Sequence, residues 1–227
     1  MNIFDNIENK FDKKPDIIDK SNNLSFNIGE LDNIICNKGI PKGKLIEFYG
    51  KESSGKTTIA YKLIANLQKQ NASILLIDTT CSFDNKYAED NGVDSNLLVY
   101  SKDDDGNIED LIKEVLEGDI IDLVIIDSIA NLNTIKLQKL IPLIHKSKTC
   151  VIYTNQIRYN IKKREETVAS VKGFRFYTDI RINFKRIETL KKQDERIGYK
   201  LELNITKNKN TNILKSFEYD IYYGGNK

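Results

Sequence analysis

The sequence has little cysteine: Cys36, Cys81 and Cys150 are all there is. Their number is odd and no C-x-x-C spacing occurs. That argues against a disulfide framework and against a cysteine zinc site, and the three read as reduced cytosolic thiols. Long apolar runs are missing too, none approaching the ~18 residues of a membrane span. The opening stretch MNIFDNIENKFDKK carries acids among its apolar residues, unlike a signal peptide. Charge of one sign is not in excess: the net is +2, which by itself names no partner. There is no internal repeat and no low-complexity linker. A soluble, cytoplasmic protein without a membrane partner is expected. Its 227 residues suffice for a sizeable core, as one large domain or one domain with a small appendage.

What is present centres on Gly50 to Thr58, GKESSGKTT. Its first eight residues fit G-x-x-x-x-G-K-[ST], the phosphate-binding loop. Leu45, Ile46, Phe48 and Tyr49 before it read as a strand. Lys56 to Gln70 after it reads as a helix, with Ile59, Ala60, Leu63, Ile64 and Leu67 at helical spacing. A strand, a glycine-bearing loop and a helix start can surround an anion with free N–H groups. Gly50, Glu52, Ser53, Ser54, Gly55, Lys56, Thr57 and Thr58 are therefore the expected phosphate cradle. Lys56 is expected to reach the β- and γ-phosphates, and the Thr57 hydroxyl to ligate magnesium.

Residues 1–25 are polar, and Ile3, Phe4, Ile7 and Phe11 give a narrow apolar stripe ahead of Pro15. This arm is expected to dock on its own domain or on a neighbouring subunit. Residues 26–227 are expected to form the core. Within it, Leu31, Ile34 and Ile35 give a helix-like patch. Ser73–Asp78, Leu97–Tyr100, Leu123–Ile126 and Thr149–Thr154 read as strands. Asn107–Glu117 and Leu132–Lys146 read as helices, the second with Pro142 as a possible kink point. Strands alternating with helices imply an α/β fold, a parallel sheet covered on both faces. From Asp179 the pattern alternates polar and apolar over 181–185, 199–205 and 217–222, an antiparallel extension of that sheet. Asp103-Asp104-Asp105-Gly106 reads as a solvated loop.

Three further stretches carry chemistry. Asp127 ends a buried strand, where an acid can hold the magnesium water shell across the phosphate loop, the alternative being a cap for the next element. Thr154-Asn155-Gln156 closes the last parallel strand at its carboxyl edge, where polar residues face a ligand crevice. Gln156 is the candidate γ-phosphate sensor, the bland alternative being an amide that caps exposed backbone. A loop over 158–172 follows, with Arg158, Lys162, Lys163, Arg164 and Lys172, and Arg175 beyond it. Its cations suit DNA phosphates, or simply a solvated face.

These residues resemble the bacterial RecA recombinases. GKESSGKTT differs from that family's loop mainly at Lys51, where the family has proline. Asn155-Gln156-Ile157-Arg158 is similar to its switch segment, and Tyr87-Ala88 with Gly92-Val93-Asp94 to its adenine-side segment. Phe176-Tyr177 and Lys207-Asn208-Lys209 have counterparts at matching spacing. The resemblance runs from about Ser25 to Tyr223 and implies a RecA-like ATPase core that uses ATP and Mg2+. It further implies that Tyr87 stacks on adenine, Asp84 hydrogen-bonds its edge, and Lys56, Asp127 and Gln156 serve catalysis. Lys207 and Lys209 are implied to reach the ATP of an adjacent subunit, in a filament on single-stranded DNA. Arg158 and the cations after it resemble the second DNA-binding loop.

Departures from the family temper this. The position of the glutamate that activates water is Thr80, and a hydroxyl cannot take that proton at neutral pH. Base catalysis worth ~10²–10⁴-fold is thus at risk, with Asp78 or Asp84 as the candidate substitutes. The first DNA loop and the C-terminal domain are expected to be missing, and the second loop lacks paired glycines. Two readings stand. One is a DNA-binding, ATP-dependent homo-oligomer of recombination and repair with weak hydrolysis. The other is a non-hydrolysing accessory or scaffold that regulates a recombinase or assembles without DNA. A helicase-like motor fits the switch segment less well.

Overall fold

A computed structural model describes residues 23–36, 38–102, 108–132, 134–160, 165–168, 174–211 and 213–223. The expected N-terminal stripe and the 103–106 loop lie outside these residues. Fifteen helices and strands order the described chain. They are α1 (Gly29–Cys36), β1 (Leu45–Gly50), α2 (Lys56–Gln68), β2 (Ile74–Asp78), α3 (Asn85–Asp90), β3 (Val99–Lys102), α4 (Ile108–Gly118) and β4 (Leu123–Asp127). There follow α5 (Thr134–Lys146), β5 (Cys150–Asn160), β6 (Glu165–Val168), α6 (Phe174–Tyr177), β7 (Ile180–Lys192), β8 (Glu195–Asn208) and β9 (Ser216–Tyr222).

The strands join in the order β3-β2-β4-β5-β1-β7-β8-β9, with β6 paired to β5. From β3 through β1 to β7 every pair is parallel. β7, β8 and β9 then run antiparallel. Strands β1 and β2 are buried along their whole length, and β4 up to Asp127, which is why they read as apolar runs broken only by Glu47 and the terminal Asp78. Because successive side chains point to opposite faces, each strand feeds two cores. Ile46, Phe48, Leu76, Ile125 and Ile152 pack on α1, α2 and α3. Leu45, Leu75, Ile77, Val124 and Val151 pack on α4 and α5. Helix α4 presents Ile108, Ile112, Val115 and Leu116, one face at helical spacing. The end of α1 is held by Asn208, whose amide donates to the carbonyls of Ile34 and Ile35 at 3.0 and 3.1 Å.

The α/β core with an antiparallel C-terminal part is the fold expected from the sequence. Two local expectations need correction. The strand that was to close at Gln156 runs on to Asn160 and folds back on β6, with Arg158 opposite Thr167. Residues past Gln156 lack an apolar run because this end is a two-stranded ribbon beyond the core, held by backbone pairing. The strand expected over 97–100 starts at Val99, since Ser95–Leu97 makes a 3-10 turn capped by Asp94. Helix α5 contains Pro142 and is one element from Thr134 to Lys146.

Candidate nucleotide site

The carboxyl ends of β1, β2, β4 and β5 converge on one edge of the sheet, carrying Gly50, Asp78, Asp127 and Gln156. The loop after β1 depends on its glycines. A Cβ on Gly50 would lie 2.3 Å from the Phe184 carbonyl oxygen and 2.6 Å from the Ser54 hydroxyl. Gly55 sits at φ +88° and packs so tightly that a Cβ would meet Leu201 at 2.7 Å. Helix α2 then starts at Lys56 with no side-chain cap and no acid in its first turn. Its free N–H groups and positive dipole end are left for an external anion.

Lys56 is buried, and its ammonium donates to the carbonyls of Lys51 (2.8 Å) and Gly50 (3.3 Å) and to the Ser54 hydroxyl (3.3 Å). Burial lowers its pKa; the charges of Asp127 and Glu52 act in the opposite direction. Across the loop, the Thr57 hydroxyl donates to one oxygen of Asp127 at 3.0 Å, and Thr154 donates to the other at 2.5 Å. These groups suit magnesium, which takes one or two protein oxygens and completes its shell with phosphate and water. Among the described residues no cluster of three acidic, histidine or cysteine side chains offers a cage to a cation on its own.

A cleft of about 360 Å³ opens beside the loop, lined by Ser53 to Thr58, Tyr87, Arg186, Tyr199 and Tyr223. The Thr58 hydroxyl binds the hydroxyls of Tyr87 (2.6 Å) and Tyr199 (3.0 Å). Arg186 lies over the Tyr199 ring at 4.5 Å. Burial raises the Tyr199 pKa to about 12, keeping it a neutral hydroxyl. Asp84 caps α3 by accepting from the Tyr87 N–H at 3.0 Å. The Tyr87 ring lines the cleft and packs on Tyr61, which leads into an aromatic cluster with Phe83 and Tyr100.

At the end of β2, the Asp78 carboxylate is saturated. It accepts from the Thr80 N–H and hydroxyl, both at 2.9 Å, from the Phe83 N–H at 2.8 Å and from Tyr100 at 3.2 Å. Burial alone would raise its pKa; these hydrogen bonds outweigh burial and lower it. Thr80 itself is exposed and shares its hydroxyl with Ser82 at 2.7 Å.

Gln156 stands beside Gly50 in register. Its N–H donates to the Asn155 side-chain oxygen at 2.9 Å. The Asn155 amide donates in turn to Glu47, also at 2.9 Å, and the other Glu47 oxygen takes Arg181. Arg158 is exposed on the β5–β6 ribbon, and Arg175 is exposed on α6. Lys162, Lys163, Arg164 and Lys172 lie outside the described residues. Lys207 and Lys209 are not brought to the chain's own phosphate loop. Lys207 donates to the carbonyls of Arg175 (3.0 Å) and Phe176 (2.9 Å), and Lys209 to that of Tyr177 (3.1 Å). Both sit level with the start of β7, near the opposite edge of the parallel sheet.

Sequence reasoning missed Arg186, Tyr199 and Tyr223 as cleft residues, and Glu47 as the partner of Asn155. The first two sit on strands whose alternation says which residues share a face, not what that face meets. Only the β1-β7-β8 neighbourhood brings Leu201 and Tyr199 against the phosphate loop.

A profile of the RecA N-terminal domain matches residues 5–136 and 133–226. The Protein RecA of Campylobacter hominis is 34% identical over 233 residues, covering 91% of this chain and 67% of its own. That of Ureaplasma parvum serovar 3 is 34% identical over 249 residues, covering 96% and 75%. That of Streptomyces rimosus is 34% identical over 211 residues, covering 82% and 56%. The chain thus spans between 56% and 75% of the length of these three relatives. With the family profile covering nearly the whole sequence and relatives 34% identical over most of it, this chain belongs to the RecA family.

Proposed function

We propose that this chain is an ATP-binding, magnesium-dependent RecA-type protein of DNA recombination or repair. It self-associates on single-stranded DNA and hydrolyses ATP weakly. The observation that carries the reading is the Thr57–Asp127 contact of 3.0 Å, set across an uncapped helix start that holds Lys56. Thr57 and Asp127 would hold magnesium, which supplies charge neutralisation to a bound triphosphate. Lys56 leaves its carbonyl partners for the phosphates, the loop N–H groups orient them, and Tyr87 gives the base a stacking face. Gln156, in register with Gly50, would sense the terminal phosphate. Arg158 and Arg175, with the cations between them, offer phosphate contacts to DNA. Lys207 and Lys209, turned from their own loop, are suited to a neighbouring subunit's nucleotide. Titration calorimetry with Mg-ATP tests the core of this. Lys56→Ala should abolish binding, and unchanged affinity in that variant removes the proposal.

A second reading is favoured by the end of β2. Thr80 offers no base, and Asp78, the nearest carboxylate, is saturated and made less basic by its four donors. Such a protein binds ATP and assembles, or regulates a full-length recombinase, without turning nucleotide over. Phosphate release with and without single-stranded DNA separates the two. Stimulation by DNA supports the ATPase; tight ATP binding with flat, near-zero release supports the scaffold.

A further inference from the structure

Glu47 lies in the middle of the buried strand β1, with no exposed surface at all. A buried carboxylate is costly unless paired, and an apolar pair of similar size would often serve stability as well. Its surroundings are specific. One oxygen accepts from the Asn155 amide at 2.9 Å, and the other takes the Arg181 guanidinium. Arg181 is fixed in turn by stacking 4.5 Å over Tyr49, the residue before Gly50. The side-chain oxygen of Asn155 accepts from the Gln156 N–H at 2.9 Å. Asn155 is itself fully buried, so its side chain has no water to turn to. A continuous polar chain therefore runs from Arg181 through Glu47 and Asn155 to the backbone of Gln156, beside the phosphate loop.

We infer that Glu47 is a positioning residue: it fixes Asn155 and, through it, the backbone of Gln156 at the setting needed to distinguish a terminal phosphate. This rests on the nucleotide reading above. A carboxylate suits the place because it accepts on both sides at once. An amide cannot, since whichever way it turns its nitrogen faces a donor, either the Arg181 N–H or the Asn155 amide. Burial of every member of the chain except Arg181 and Gln156 leaves no solvent to replace a lost bond.

The test compares dissociation constants for Mg-ADP and for a slowly hydrolysed Mg-ATP analogue by calorimetry, in wild type and Glu47→Gln. ADP affinity should stay within about 3-fold, since Glu47 touches none of the cleft. Preference for the triphosphate should fall by roughly 5-fold or more, the scale of an ordinary coupling between sites. Glu47→Leu with Arg181→Met removes both charges and regains stability that Glu47→Gln loses, yet it should not regain the preference. That split separates positioning from mere support of the fold, and the double variant decides the matter if the single one fails to fold. A variant that keeps the wild-type preference overturns the inference and leaves the nucleotide reading standing. A wild-type chain that binds both nucleotides equally overturns the sensing role of Gln156, and the inference with it.

Discussion

Thr80→Glu puts the hydrolysis question to the molecule directly. Thr80 is exposed at the end of β2, so a longer side chain has room. The substitution removes the hydroxyl donated to Asp78 but keeps the backbone N–H at 2.9 Å, the Phe83 N–H at 2.8 Å and Tyr100 at 3.2 Å. Loss of one hydrogen bond to a charged group costs about 1.5–3 kcal/mol when buried, and toward the lower end beside an exposed residue. Repulsion between the two carboxylates adds roughly 1 kcal/mol in a solvated setting. For a chain of this size a loss of about 2–3 kcal/mol lowers Tm by roughly 4–12 °C, so the variant should remain folded at 25 °C. Against that stands the catalytic gain. A placed general base contributes ~10²–10⁴-fold, so phosphate release at saturating Mg-ATP should rise at least ~10²-fold with affinity nearly constant. Thr80→Gln, of like size and without a base, should show no rise. Undiminished ATP binding in Thr80→Glu with no faster release, with or without single-stranded DNA, would refute the argument that a missing base limits this site.

The remaining predictions concern the loop, the metal side and the acid limb of stability. Gly50→Ala should destabilise more than Gly55→Ala by thermal unfolding, because the first meets the fixed Phe184 carbonyl and the second the yielding Leu201 side chain. Gly55→Ala still bears about 1–2 kcal/mol of left-handed backbone strain, and equal stability to wild type in both would contradict the loop geometry. Asp127→Asn should leave the fold intact and weaken ATP binding more in magnesium than in EDTA; an equal loss in both would place Asp127 outside the metal side. Asp78 has a folded pKa below its ordinary 3.8, so it binds fewer protons folded than unfolded and stabilises the fold at neutral pH. That contribution is lost as pH falls through 3.8 toward the folded value, and Asp78→Asn should flatten this part of a stability–pH curve measured by denaturant titration.

What the sequence made legible follows from where each residue's partners lie. Runs such as Ile74–Asp78 and Leu123–Asp127 announce themselves, because a strand buried on both faces must be apolar throughout. The phosphate loop is legible because strand, glycines and helix start are contiguous. Asp127 stands out by ending a buried run, a position that costs energy unless something uses the charge. The β5–β6 ribbon is not legible, since its pairing is by backbone and leaves no apolar signature. Arg186 and Tyr199 join the cleft only because β7 and β8 lie next to β1, a neighbourhood that no local window contains. Glu47 is the sharpest case. Within Leu45–Gly50 it reads as one polar residue in an apolar strand, and its meaning depends on Asn155, 108 positions away, and Arg181, 134 away. A charge that looks like an exception to the pattern is, in the folded sheet, the point where three strands are tied together just ahead of the glycine-bearing loop. A lone buried acid in a strand that leads into a phosphate loop therefore calls for a search for its partners before it is set down as noise.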